Sequence, residues 1–496
     1  MSDPKRNRNS VPSAPRRAVV VGGGIAGLLA ARVLCDHFEE VVLAERDIIR
    51  EGQPHRPGAP HAHHLHLLLR RGLMAIEQLF PGVGPDLEKA GSLLLDQGRD
   101  FHILYRSGWA PRKECGLQLR TFTRPLLEGT IRRHLARHPQ VRFLEGCGVT
   151  GLVADGNGTG VAGIRYHLGP PAAAAETEER TLTADLVVDA SGRSSKAPEW
   201  LEALGYPAPE EAVVDASWGY ASRDYEPPAG FAADWKVLLM MNRPPDQPRP
   251  GILEWVEGNR WMVTVAGVMG ERPPADEEGF LELIRGMASP AIWEALRQAR
   301  PLSRIYLHHR TQNRLRSFDR LTRRPERFLV LGDAVCAFTP VYGQGMTVSA
   351  LEALELGECL RRRQGRLDGL AAVFQKRVAQ LVAGPWALAT GEDLRWPATV
   401  GGELTPRVRF FHWYIDQVIE LIPGSAEVFR RFQEVNHMLK PATALFHPAV
   451  LGPVLRQALR QDRRGPEKGA ASRRGFLSHL LRLLDVLHLR PARHPH

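Results

Sequence analysis

The sequence predicts an α/β protein with three parts: a lobe built on a parallel sheet, a lobe built on an antiparallel sheet, and a helical C-terminal region. Three observations carry this. Ala18-Val19-Val20-Val21 is a short β-branched run that turns through Gly22-Gly23-Gly24-Ile25-Ala26-Gly27 into the small and apolar stretch Leu28–Leu34. Val41-Val42-Leu43-Ala44 is a second such run and ends in Glu45. Between residues 235 and 268 three strand-like segments follow one another around the turn Glu257-Gly258-Asn259-Arg260, which is the pattern of an antiparallel hairpin.

The first segment is strand, tight turn, helix. Gly22 permits the turn, Gly24 lets backbone approach a ligand, and Gly27 lets helix pack on strand, with Ala26 between them. The helix N-terminus then offers unpaired N–H groups to an anion such as a pyrophosphate. An acid at the end of the next strand, Glu45, stands where a carboxylate meets a ribose hydroxyl, and Arg46 follows it. Together these predict a Rossmann-like site for an adenine dinucleotide.

At 496 residues the chain is long enough for two or three domains, and 43% hydrophobic with 24% charged residues is a globular composition. Its five cysteines form no CxxC pair and are an odd number, which suggests neither a disulfide framework nor a thiolate metal site. With no signal-peptide core near Met1 and no long apolar run, a cytoplasmic protein is expected. The net charge of +10 is scattered without an aromatic-interleaved basic face, so phosphate-bearing cofactors explain it better than nucleic acid.

Two later segments say which dinucleotide. Arg327-Phe328-Leu329-Val330-Leu331-Gly332-Asp333-Ala334 is a buried strand ending in Gly-Asp, and Pro340-Val341-Tyr342-Gly343-Gln344-Gly345-Met346 leads into the apolar helix Thr347–Leu360. In these motifs the chain resembles the FAD-dependent monooxygenases of the para-hydroxybenzoate hydroxylase superfamily. The resemblance implies that Gly332 and Asp333 sit at the flavin ribityl chain, and that the glycines around Gln344 bring a helix N-terminus to the flavin ring. It also implies that Arg124, in Thr121-Phe122-Thr123-Arg124-Pro125-Leu126-Leu127-Glu128, reaches FAD. A solvated surface arginine is the alternative there.

Ala184-Asp185-Leu186-Val187-Val188-Asp189-Ala190-Ser191-Gly192-Arg193-Ser194-Ser195 matches the superfamily's third motif in part. Ser191 stands where phenol hydroxylases carry Asp, and Asp189 comes two residues earlier. Cys336 and Thr347 likewise replace His and Asn of that group. Cys336 reads either as a redox nucleophile or as a small packing residue. Over roughly residues 16–450 the chain looks most like the bacterial flavin epoxidase and hydroxylase branch that includes polyether-pathway epoxidases.

The resemblance implies a discontinuous FAD-binding lobe (16–90, 115–200 and 305–360), a substrate lobe of antiparallel sheet (91–114 and 201–304), a helical region at 361–496 and a disordered tail at 1–15. Trp218, Tyr220, Met240, Trp255, Trp261 and Met262, with Pro340, are the candidates to line an apolar substrate pocket, against plain core packing.

The implied activity is insertion of one oxygen atom from O2, by hydroxylation or epoxidation through a flavin C4a-hydroperoxide, into a hydrophobic secondary metabolite. NAD(P)H would be the reductant, delivered directly or through a separate flavin reductase. A geranylgeranyl-reductase-type enzyme and a non-redox FAD-containing cyclase or binding protein are the alternatives; a halogenase is disfavoured because no Trp-x-Trp-x-Ile-Pro segment occurs. No general base is named by the sequence.

Four histidines crowd Gly58-Ala59-Pro60-His61-Ala62-His63-His64-Leu65-His66. They offer no i,i+4 pair, no Cys and no acid before Glu77, so no metal site is expected. In the family this loop lies beside the flavin, and His61 and His63 replace Gln and Arg of the branch pattern. These two are expected to touch FAD and to tune the flavin between pH 6 and 8, where histidine ordinarily titrates. Gly475–Leu489 is short and amphipathic; it suits a membrane or carrier-protein contact, packing on the protein's own surface, or dimerisation. A monomer or homodimer is expected.

Overall fold

The computed structural model describes residues 16–50, 56–169, 178–309 and 311–463, so the expected N-terminal tail and the segment 475–489 lie outside the described residues. Nine elements position the site: β1 (Arg17–Val21), α1 (Ile25–Leu34), β2 (Glu40–Glu45), α2 (Arg124–Leu135), β3 (Val141–Glu145), β4 (Leu186–Asp189), β5 (Phe328–Val330), α3 (Gly345–Arg362) and α4 (Leu370–Asp393).

The five strands form one sheet in the order β5-β4-β1-β2-β3, every neighbouring pair parallel. A parallel sheet is covered on both faces, which is why β1 and β4 read as unbroken apolar runs rather than alternating ones. Val19, Val20, Val187 and Val188 are fully buried, packed with Leu28 and Leu29 of α1 and with Val348, Ala353 and Leu356 of α3 in one continuous core. Strand β5 enters from far along the chain, so the lobe is discontinuous in sequence.

The second lobe is an eight-stranded sheet. Its strands run in the order 300–301, 219–226, 260–267, 251–256, 237–240, 101–105, 108–109, with 306–308 also paired to 219–226. All its pairings are antiparallel except that of 237–240 with 101–105. The predicted hairpin is present: Val256 pairs with Arg260, and between them Gly258 and Asn259 both take positive φ, 75° and 54°, a conformation these two residue types tolerate.

Side chains alternate across this sheet, and both faces are covered. One face carries Leu238, Met240, Leu253, Trp261, Val263 and Val265 against the helices Glu277–Arg285 and Ala291–Leu296. The other carries Tyr220, Ser222, Glu254, Met262 and Thr264 and looks toward the parallel-sheet lobe, as the register pairs Tyr220↔Ala266, Ser222↔Thr264 and Glu254↔Met262 require. Near its 101–105 edge the helices Pro406–Leu421, Ala426–Asn436 and 448–463 pack on it through Phe410, Tyr414 and Phe429. Among the described residues no helix is long and apolar enough to cross a membrane.

Candidate functional site

The glycine turn has the shape a dinucleotide needs. A Cβ on Gly27 would lie 1.8 Å from the Gly22 carbonyl oxygen, so only glycine lets α1 start this close to β1. A Cβ on Gly24 would meet nothing within 4 Å, which leaves open space at the α1 N-terminus. That terminus has no side-chain cap and no acid in its first turn, so its N–H groups and positive dipole end are available to an anion.

Glu45, at the end of β2, is buried and already engaged. Its Oε2 accepts from the Gly23 N–H at 2.7 Å and its Oε1 from the Asp47 N–H at 2.9 Å. Arg56, which the sequence reading did not single out, lies 3.2 Å from Glu45, 3.1 Å from Asp47 and 2.7 Å from Glu128. Glu128 in turn holds Arg124 at 3.1 Å, and both Arg124 and Glu128 belong to α2, whose first turn Thr123 caps. Arg124 is therefore a buried, oriented cation rather than a solvated one, whereas Arg46 is exposed.

The Gly332-Asp333 turn closes over α1: a Cβ on Gly332 would sit 2.8 Å from that of Ala26. The Asp333 carboxyl is raised by burial, partly offset by Arg193 and Arg124, and accepts no hydrogen bond among the described residues. Position Gly345 stands beside it, 3.6 Å from Asp333 Oδ1 to a Cβ built there. Gly345 opens α3 behind Gln344 and the left-handed Gly343; this terminus too lacks a side-chain cap and a first-turn acid. Gln344 is buried with its Oε1 unpartnered, Met346 packs into the lobe's core, and Pro340 is exposed.

Two uncapped helix ends, an unpartnered acid between them and Arg124 alongside form a donor set suited to FAD's pyrophosphate, ribityl chain and flavin ring. The residues present fit the cofactor. Asp189 is committed elsewhere: its carboxylate accepts from the Ser191 N–H at 2.9 Å and the Ser195 hydroxyl at 2.5 Å, holding the turn after β4. Arg193 of that turn donates to the Gln312 and Phe338 carbonyls at 2.6 and 2.7 Å, which brings its charge near Asp333.

The histidine loop wedges between the lobes. His64 Nδ1 is 2.8 Å from the Ser222 hydroxyl, which pairs with Thr264, and His63 stacks on Tyr306 with ring centroids 3.8 Å apart. His66 Nδ1 reaches the His64 carbonyl at 2.8 Å, and the His61 and His66 rings are 5.6 Å apart. A carbon on Gly343 would stand 3.5 Å from the Leu67 carbonyl, so the loop does run beside the turn before α3. The expected titration of His61 between pH 6 and 8 is corrected: burial, then Arg124, pushes it well below the ordinary histidine value. Burial likewise pushes His64 and His66 down to about 3. Among the described residues no group of three or more His, Cys, Asp or Glu is arranged to hold a metal ion.

The aromatic candidates divide between the two sheet faces. Trp261 and Met240 are buried in the cluster under the helices 277–296, where Trp255 packs edge-on to Trp261 at 5.6 Å; this places the three on the face away from the FAD lobe. Tyr220 and Met262 lie on the near face, and both are buried. Trp218 is buried against Trp396 and donates its indole N–H to Asp393 at 2.9 Å. Burial pushes the Cys336 thiol up, which suits packing rather than thiolate chemistry.

Glu254 was not legible as a site residue. It sits on the near face, is 1% exposed, and accepts no hydrogen bond among the described residues; its Oε2 is fully buried. Burial, then the neighbouring Glu257, raises its carboxyl well above the usual range.

Comparison with known proteins agrees with this geometry. The family model described as FAD binding domain matches residues 16–365. The chain thus belongs to this family of FAD-binding domain proteins. It is 33% identical to Protein Rv3254 of Mycobacterium tuberculosis (strain ATCC 25618 / H37Rv) over 386 residues, 76% of this chain and 80% of that protein.

Among solved structures, the flavin-dependent brominase Bmp2 is similar with a TM-score of 0.61 at 14% identity, covering 90% of this chain and 99% of that one. The p-nitrophenol 4-monooxygenase PnpA from Pseudomonas putida DLL-E4 gives 0.59 at 17% identity, covering 86% and 99%. At these identities the likeness is one of fold.

Proposed function

We propose that this protein is a flavin-dependent monooxygenase that inserts one atom of O2 into a hydrophobic secondary metabolite, with NAD(P)H as reductant. One O2, one NAD(P)H and a proton give the oxygenated product, NAD(P)+ and water. The observation that carries the reading is the meeting of two uncapped helix N-termini at the unpartnered Asp333, beneath the near face of an antiparallel sheet. Bound and reduced, FAD supplies the electrons that activate O2.

The chain's own residues bind and shield. The α1 end and Arg124 hold the pyrophosphate, Asp333 accepts from the ribityl hydroxyls, and the α3 end stabilises negative charge on the reduced ring. Tyr220 and Met262 offer apolar surface on the substrate side, and Glu254 offers a buried carboxyl that can hydrogen-bond a substrate hydroxyl. An open groove of about 520 Å³ between the lobes is lined by Arg56, Pro60, His63, Arg304 and Tyr306. Arg304, exposed there, suits an anionic reductant. The branch resemblance extends the reading to epoxidation as well as hydroxylation.

Anaerobic mixing of the FAD-loaded protein with NADPH, followed by air, tests the reductant. Bleaching within seconds supports direct reduction; flavin that stays oxidised over minutes points to a separate flavin reductase. Oxidised product with no oxygen from labelled O2 supports the reductase or dehydrogenase reading instead, and brominated product in bromide supports an activity like that named for the brominase.

A further inference from the structure

The far end of α4 carries a buried carboxylate that the FAD site as described does not use. Asp393 is fully buried, and four side chains donate to it. Its Oδ1 accepts from the Trp218 indole at 2.9 Å and the Tyr342 hydroxyl at 2.7 Å; its Oδ2 accepts from the Asn313 amide at 2.6 Å and the Thr339 hydroxyl at 3.1 Å. Asn313 also accepts from the Thr339 N–H at 2.7 Å, closing the network.

Thr339 and Tyr342 bracket the Pro340–Tyr342 turn, and Gly343 then turns the chain into α3. Trp218 enters the antiparallel sheet one residue later at Gly219. We propose that Asp393 is a positioning residue: through Tyr342 and Thr339 it fixes the turn that aims the α3 N-terminus at the flavin, and through Trp218 it locks that turn to the substrate-side sheet.

The chemistry selects a carboxylate. Each of its oxygens faces one group that can only donate, the Trp218 indole on Oδ1 and the Asn313 amide N–H2 on Oδ2, with a hydroxyl donating beside each, and a carboxylate has two oxygens to receive two donors each. An amide has one acceptor oxygen and an N–H2 that would face donors on its other side, so an asparagine leaves one pair unmatched. Among the described residues no arginine or lysine pairs with Asp393, and burial raises it to about 6 in spite of the four donors. Such a costly group is poorly explained by packing alone, since an apolar side chain fills a core more cheaply. The consequence falls on α3, because Gly345 stands beside Asp333, and a small shift of the turn moves the helix end relative to both Asp333 and the ring.

This inference rests on FAD occupying the site. The test compares Asp393→Asn, Tyr342→Phe and their double variant with Ala389→Gly, a helix-weakening change elsewhere in α4, as full-length FAD-loaded proteins. FAD affinity, the midpoint potential of the bound flavin and Tm are measured.

Asp393→Asn and Tyr342→Phe are each expected to weaken FAD binding about tenfold and to shift the potential in the same direction, with the double variant no worse than Asp393→Asn. Ala389→Gly is expected to lower Tm while leaving affinity and potential unchanged. Equal flavin effects from Ala389→Gly, or wild-type affinity and potential in Tyr342→Phe, overturn the proposal; Tyr342→Phe removes one hydroxyl and decides the matter even if Asp393→Asn does not fold. A wild-type chain that takes up no FAD overturns the functional reading as well and is told apart by that.

Discussion

Glu352 of α3 shows how a single buried acid links cofactor lobe and pH. Its Oε2 accepts from the Gly332 N–H at 2.5 Å, its Oε1 has no partner among the described residues, and burial raises it to about 8. A folded value above the unfolded one means the folded chain holds the proton longer. The stability this gives is complete below about 4.5 and is lost as pH rises through about 8. Glu352→Gln keeps the acceptor and removes the titration. Its Tm is expected to match wild type near pH 5 and to exceed it by several degrees above pH 8; parallel Tm curves across that range contradict the assignment.

Glu254 makes a separate prediction: with a hydroxylated substrate, Glu254→Gln is expected to lower kcat roughly 10²-fold or more while FAD affinity stays at the wild-type value. Full activity in that variant removes Glu254 from the reaction. His61→Gln is expected to leave the pH profile of flavin reduction unaltered between pH 6 and 8, because the imidazole is neutral throughout that range.

At the scale of elements, the glycine turn separates folding from binding. Gly27→Ala places a methyl on the Gly22 carbonyl and is expected to cost both Tm and FAD. Gly24→Ala meets no protein atom, so apo Tm is expected to stay within about 1 °C while FAD binding weakens at least about tenfold. Equal Tm loss in the two variants contradicts the assignment of that open space to the cofactor.

These elements were legible because each is contiguous: strand, turn and helix from Arg17 to Leu34 and the Gly332–Met346 stretch carry their pattern within a few residues. Arg56 and Asp393 were not, since each is fixed by a partner far along the chain: Glu128 lies 72 residues from Arg56, and Trp218 lies 175 from Asp393. The facing of Trp255 and Trp261 was equally hidden. Both faces of their sheet are covered, so apolar residues occur at odd and even positions and the alternation that would orient a strand is erased.

At the scale of the molecule, the parallel-sheet lobe holds the cofactor, the antiparallel sheet roofs it, and α4 with the helices after it ties the two together. The histidine loop belongs to that joint: His64 bonds to the sheet through Ser222 while Leu67 lies beside Gly343. Two of its imidazoles join the lobes directly, His64 through Ser222 and His63 by stacking on Tyr306.

The proposed activity is oxygen insertion by bound FAD. It is tested most directly by turning over a hydrophobic hydroxylated or polyene substrate with NADPH under ¹⁸O2 and weighing the product by mass spectrometry. One labelled oxygen per product molecule is expected, lost when FAD is omitted from the apoprotein. Product carrying no label, formed at the same rate with and without O2, would contradict it.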